Sequence, residues 1–237
     1  MLKLKDYIDF YKIAKRRAKS SSDYFNFENF QSEIVIKSLK SKGVSFNGKR
    51  VLDVGSGTGG YSLNLLNNGA KVVALDIIKD YFQNVKGVGF VLGDAANMPF
   101  KSNIFDFVFC SSLVEHVKEP DELIREIKRI LRKNGMCYLS FPPFWSPVGA
   151  HQFKPFHYLG ENIAIKFSRK LYHVRSFRYD DEYGKLYIRT IRQVRKLILK
   201  NSFQILSMTT RMSPINFARI PLIGDFFTWH VEFLIKK

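Results

Sequence analysis

Residues 51–62 read VLDVGSGTGGYS, and the fold turns on how they are read. Four apolar-rich residues, Val51 to Val54, run into GSGTGG, which satisfies the G-x-G-x-x-G spacing found where a strand turns into a nucleotide-binding helix. Glycines there let the backbone turn sharply and lie close to a ligand. They do not choose between a nicotinamide, a flavin and another nucleoside. Asp53 does. A dinucleotide fold normally places an apolar side chain two residues before the first glycine, and a carboxylate buried there is costly unless something positively charged meets it. The α-amino group of a ligand would do so.

Outward from this stretch the chain alternates. KRVLDV (49–54), KVVALD (71–76), GVGFVLGD (87–94), FDFVFCSS (105–112) and MCYLSF (136–141) read as strands. Helices are expected at 59–68, near 79–84 and at 120–133, the last from Pro120 in the first turn to Gly135 past the end. Strands and helices in this rhythm predict a parallel sheet covered on both faces. Ahead of it, residues 2–19 form an amphipathic pattern with Leu4, Tyr7, Ile8, Tyr11 and Ala14 on one side. Ser20–Ser22 break it, Asp23 is placed to cap a second helix, and 26–42 is helical again. After Pro142-Pro143 the rhythm is lost over an aromatic, basic and irregular stretch. A helix at about 186–200 and strands at 203–211 and 227–237 close the chain. The expected architecture is α/β, Rossmann-like and seven-stranded. Its parts are a helical lid over 1–46, a nucleoside-binding core over 47–143, a substrate-capping insertion over 144–185, and completion of the core over 186–237.

DVGSGTGG resembles the first motif of class I S-adenosylmethionine-dependent methyltransferases. Other segments resemble that family in order: Asp76 at the end of the second strand, GDAANMPF (93–100), FDFVFCSSLVEHV (105–117) and LRKNGMCYLSFP (131–142). FDFVFCSSLVEHV is similar to the fourth motif of the small-molecule branch known as type 11. The resemblance covers about residues 48–142. It implies a sheet whose last strand is inserted antiparallel and S-adenosylmethionine as cofactor. It further implies a cofactor site of Asp53, Gly55, Ser56, Gly57, Gly59, Asp76 with Ile77 beside it, Asp94 and Ala95. Asp76 would bind the ribose hydroxyls and Asp94 the adenine amine, with Ser111 and Leu113 on the methionine side. Asp76 would serve NAD equally well, so Asp53 and GDAANMPF carry the choice.

The chain has 237 residues with 46% hydrophobic and 15% aromatic content, ample for a packed core. Its two cysteines, Cys110 and Cys137, lie in apolar runs, which excludes a disulfide framework or a cysteine-based zinc site and predicts a cytoplasmic protein. No run is long and apolar enough to span a bilayer. The net charge of +17 is concentrated at the flanks: residues 1–50 hold 12 Lys/Arg against 5 Asp/Glu, residues 161–200 hold 11 against 4, and residues 51–140 are balanced at 10 and 10. Flanks of this kind suit an anionic partner: a phosphorylated acceptor, nucleic acid, or a lipid surface touched peripherally. Solubility alone accounts for them equally well.

Methyl transfer is an in-line displacement, so positioning dominates; a hydroxyl acceptor also needs a base, and histidine is best tuned near neutral pH. His116 follows the fourth strand, at the sheet edge where ligands bind in open α/β folds. His151 and His157 sit in the aromatic loop SPVGAHQFKPFHYLG. These three are the catalytic candidates, and Tyr61, Trp145, His151, His157 and Tyr158 the acceptor-binding ones. A metal held by His151, His157 and Glu115 lacks further ligands, and no metal is expected. FPPF (141–144) follows the fifth strand and begins with Phe141, unlike the polar-P-P-aromatic motif of amino-methylating nucleic-acid enzymes, which follows the fourth. SFPPFWSPVGAHQFKPFHYLG is similar to a stretch in prokaryotic type 11 enzymes linked to surface glycan assembly. That likeness implies a small-molecule or glycan hydroxyl as acceptor, carried on a phosphorylated or lipid-linked molecule; an RNA acceptor is the alternative.

Overall fold

The computed structural model describes residues 4–17, 19–211, 213, 215–221 and 223–237; the side chain of Leu4 and residues 2, 3 and 18 of the expected first helix lie outside the described set. One seven-stranded sheet has the order β3-β2-β1-β4-β5-β7-β6. Its strands are β1 (Arg50–Val54), β2 (Lys71–Asp76), β3 (Gly89–Leu92), β4 (Phe105–Ser111), β5 (Leu131–Phe141), β6 (Gln204–Thr210) and β7 (Val231–Lys236). The last strand lies between β5 and β6 and runs antiparallel to β6, so β6 forms the edge. The chain divides into two compact units, residues 1–109 with 129–136 and residues 110–128 with 137–237.

In the first unit β1 pairs in parallel with β2, and β2 with β3. Val51, Leu52 and Val54 are fully buried, which is why the run is apolar throughout. Helices α1 (Leu4–Arg16) and α2 (Ser21–Ser41) precede the sheet, and α3 (Gly60–Asn67) follows β1. The cap of α2 is Ser20 and not Asp23: extended Ser20 accepts the Asp23 amide at 3.0 Å and returns its hydroxyl proton to the Asp23 carboxylate at 2.9 Å. The expected helix near 79–84 is a single 3-10 turn, Lys79–Tyr81.

Helix α4 (Pro120–Ile130) ends where β5 begins, so the helix expected to 133 is shorter and Gly135 lies inside the strand. The stretch read as irregular contains two 3-10 turns, His151–Phe153 and Phe156–Leu159, and a twelve-residue helix, α5 (Glu161–Tyr172). They close over their own core of Phe144, Ala150, Phe153, Ala164, Ile165, Tyr179 and Leu186. Helix α6 (Ile191–Lys200) opens on a capping box between Thr190 and Gln193. A short helix, α7 (Gly224–Phe227), precedes β7. Buried Arg211 is fully engaged. Its Nε donates to Glu232 at 3.1 Å, and a terminal nitrogen donates to Tyr138, Ser140 and Ser111 at 2.7, 2.9 and 3.2 Å.

Candidate active site

The first unit brings together the ends of β1 and β2 and the glycine loop between β1 and α3. Gly55, Gly57 and Gly59 all have positive φ, at 70°, 53° and 95°, a region where a side chain is strained, so the loop needs its glycines. The loop is bound to β2: Gly55 and Ser56 donate to the Leu75 carbonyl at 2.8 and 3.1 Å. Gly57 donates to Asp76 Oδ2 at 2.9 Å, while Asp76 Oδ1 accepts from Ile78. Asp76 thus sits half-buried at the loop, and Ile77 beside it is exposed. Asp53 is 2% exposed and accepts the Ser62 hydroxyl at 2.6 Å. Burial pushes its carboxyl up to about 7, against the pull of Ser62. The Ser56 hydroxyl is buried without a hydrogen-bond partner among the described residues. Asp94 is exposed and accepts the Ala96 amide at 2.8 Å, and Ala95 is buried.

Two members of this unit escaped the sequence reading. Glu28 of α2 places a buried carboxylate on the loop, accepting from the Thr58 hydroxyl at 2.5 Å and the Gly60 amide at 3.2 Å. Burial raises it too, to about 7, Thr58 and Gly60 partly offsetting the shift. Gly60 is the second: a Cβ there would sit 2.7 Å from the Asn29 amide nitrogen and 2.8 Å from the Phe25 carbonyl. Both lie on the α2 backbone, so this glycine is set by helix packing. The signal was its place as the third glycine of G-x-G-x-x-G, the one that packs the helix closely.

The second unit gathers a different set. The segment 113–118 after β4 is fixed by Arg189, which donates to the carbonyls of Val117 and Lys118 at 2.7 and 2.9 Å and more weakly to that of Val114. It is fixed again by the Tyr187 amide, which donates to the Glu115 carbonyl. Glu115 is 2% exposed, and its carboxylate has no hydrogen-bond partner among the described residues. Burial raises it to about 7, with His116 the largest opposing influence. His151 Nε2 lies 3.9 Å from Glu115 Oε1, and the rings of His116 and His151 meet edge to face at 5.0 Å. His116 Nδ1 bonds the Lys185 carbonyl.

The structure therefore brings His116 and His151 together, with Glu115 beside them. His157 does not join them. It is fully buried among Phe144, Trp145 and Tyr158, and burial lowers its pKa, so the ring stays neutral. The residue expected in catalytic and acceptor-binding roles thus lies in the core and away from the His116–His151 pair. Tyr61, expected at the acceptor, is buried within the first unit against Phe109, at 5.0 Å. Trp145 is half-buried and packs on Phe144 and Phe226, whereas Tyr158 is exposed. Ser111 is bonded to Ser140 and Arg211, and the Leu113 carbonyl accepts the His116 amide. The Arg189 clamp, too, was missed: its partners lie over seventy residues away.

A carboxylate at the end of β1, a glycine turn, a second carboxylate at the end of β2 and a last strand inserted antiparallel form the arrangement of the class I S-adenosylmethionine-dependent methyltransferase fold. The type 11 family model, described as Methyltransferase domain, matches residues 52–139 of the chain. Among its relatives, a biotin biosynthesis bifunctional protein from Cellvibrio japonicus is 30% identical over 138 residues, 56% of this chain and 28% of that one. An uncharacterized methyltransferase of Mycobacterium leprae is 28% identical over 153 residues, 62% of this chain and 55% of that one. The matches thus span only part of these relatives. The fold recurs in an S-adenosylmethionine-dependent methyltransferase from Mesorhizobium loti, with TM-score 0.61, 16% identity, and 85% and 96% of the two chains covered. It recurs also in magnesium protoporphyrin IX methyltransferase from Synechocystis with bound SAH, with TM-score 0.58, 18% identity, and 91% and 86% covered.

Proposed function

We propose that this protein transfers the sulfonium methyl of S-adenosylmethionine to a hydroxyl of a small-molecule or glycan acceptor. The observation that carries the acceptor class is the cluster of Glu115, His116 and His151, because two imidazoles beside a buried carboxylate are groups for handling a hydroxyl proton. In the reaction the acceptor oxygen forms a bond to the methyl carbon as the carbon–sulfur bond breaks. S-adenosylmethionine bound at the glycine loop would supply the methyl and be released as a neutral thioether, and the hydroxyl proton would pass to the cluster. On the cofactor side, Asp53 supports binding of the α-amino group, and the glycine loop admits the nucleoside without steric cost.

A phosphate on the acceptor has candidate partners in Arg169 and Arg175, which line an open cleft of about 440 Å³ with His173, Val174, Phe177 and Tyr183. Both cysteines are free and buried, which supports a cytoplasmic setting. No helix among the described residues is long and apolar enough to cross a membrane; peripheral contact through the basic flanks stays part of the proposal.

The test is a methyl-transfer assay with labelled cofactor against a panel of free sugars, sugar phosphates, lipid-linked glycans, small phenols and tRNA. Label in a base-stable ether on a glycan or small molecule is the expected result. Label in RNA alone overturns the acceptor class and leaves the cofactor assignment standing.

A further inference from the structure

We propose that Glu115, His116 and His151 form a binding site for a divalent first-row transition-metal ion. Each offers one ligand atom, and the three atoms lie within 4.8 Å of one another. Around a tetrahedral ion with bonds near 2.1 Å such atoms stand about 3.4 Å apart, so closing on a metal asks each side chain to move by about an ångström.

Two independent features point to a ligand. The first is the Glu115 carboxylate, buried with both oxygens lacking a hydrogen-bond partner among the described residues. Such a group calls for an explanation, and a bound cation is one that also offsets its burial. The second is the set of bonds that orients the histidine. The Lys185 carbonyl accepts the Nδ1 proton of His116, which leaves Nε2 with its lone pair, the arrangement that outer carbonyls impose on metal-bound imidazoles. Arg189 and the Tyr187 amide hold the segment carrying Glu115 and His116, so two of the three ligands come from one rigid stretch. Two nitrogens and one carboxylate oxygen suit zinc, cobalt, nickel or iron(II) better than magnesium or calcium, and three protein ligands leave a position open.

The consequence rests on the proposed hydroxyl acceptor. An acceptor oxygen in the open position would be acidified as metal-bound water is, and the cluster would act through the ion.

The test uses cobalt(II) as probe, with neither cofactor nor acceptor present, followed by equilibrium dialysis with metal analysis and by visible absorption. Wild type is expected to bind one cobalt per chain and to develop ligand-field bands. Glu115→Gln and His151→Asn should each weaken uptake at least about tenfold; asparagine tolerates the φ of 48° at position 151. His173→Asn, altering a histidine in the arginine-lined cleft, should bind as wild type. No uptake by wild type, or equal uptake by all four proteins, overturns the site. Thermal melts of the metal-free variants verify folding. S-adenosylmethionine titrated into the same proteins reports on the methyltransferase reading separately, so either can fail alone.

Discussion

Asp53 and Gly60 show what single residues carry. A carboxyl at about 7 in the folded chain against an ordinary 3.8 binds its proton more tightly when folded. Between these two values the unfolded state is ionised and the folded state is not, so Asp53 makes stability fall as pH rises through that window, and Glu28 acts in the same sense from 4.5. An ammonium group docking on Asp53 favours the charged form. S-adenosylmethionine binding near pH 6 is therefore expected to release protons, measurable by calorimetry in buffers of different ionisation heat. Asp53→Asn should abolish that release and weaken cofactor binding by about 1.5–3 kcal/mol, the usual range for a hydrogen bond to a charged group. Gly60→Ala puts a Cβ against the α2 backbone. A loss of about 1–3 kcal/mol, read from denaturant midpoints, is expected for this overpacking. Asp53 was legible from its position before the glycines. The meaning of Gly60 was not, because the helix it touches starts some forty residues earlier.

At the scale of elements, local chemistry decides ends and distant chemistry decides positions. Helix α6 begins where Thr190 and Gln193 exchange side-chain and backbone bonds, and Thr190→Ala should cost about 1 kcal/mol, seen as a lower melting temperature with methyl transfer intact. The same rule misled at α2, where Asp23 stood as a plausible cap but Ser20 takes the role. The helix in the insertion stayed hidden for another reason. Its buried side consists of Ala164, Ile165 and Ser168, too short and mixed a stripe to stand out among the exposed aromatics Phe167 and Tyr172. Arg211 belongs to this scale too, as a cation that joins β4, β5 and β7 through Ser111, Tyr138, Ser140 and Glu232. Arg211→Met leaves Glu232 buried without its cation and should cost about 3–5 kcal/mol; the double variant with Glu232→Gln should recover part of it.

For the whole molecule, the two raised carboxyls of the first unit predict a melting temperature that climbs as pH falls from about 7 toward 5 in the absence of cofactor. A scanning fluorimetry series that stays flat or slopes the other way would reject this, and in Asp53→Asn the slope should shrink. The succession of strands along the chain, the glycine turn and the acidic ends of β1 and β2 were determined by the sequence alone. They follow from local rules: alternation of apolar runs, glycine at positive φ, and a charge that burial makes conspicuous. Which histidines meet was decided only by the tertiary structure. His151 and His157 are neighbours in the chain, yet His157 turns into the core of the insertion and His151 joins His116 from thirty-five positions earlier. Burial and pairing are properties of surfaces that the chain brings together from afar, and no window of the sequence contains both sides of such a contact.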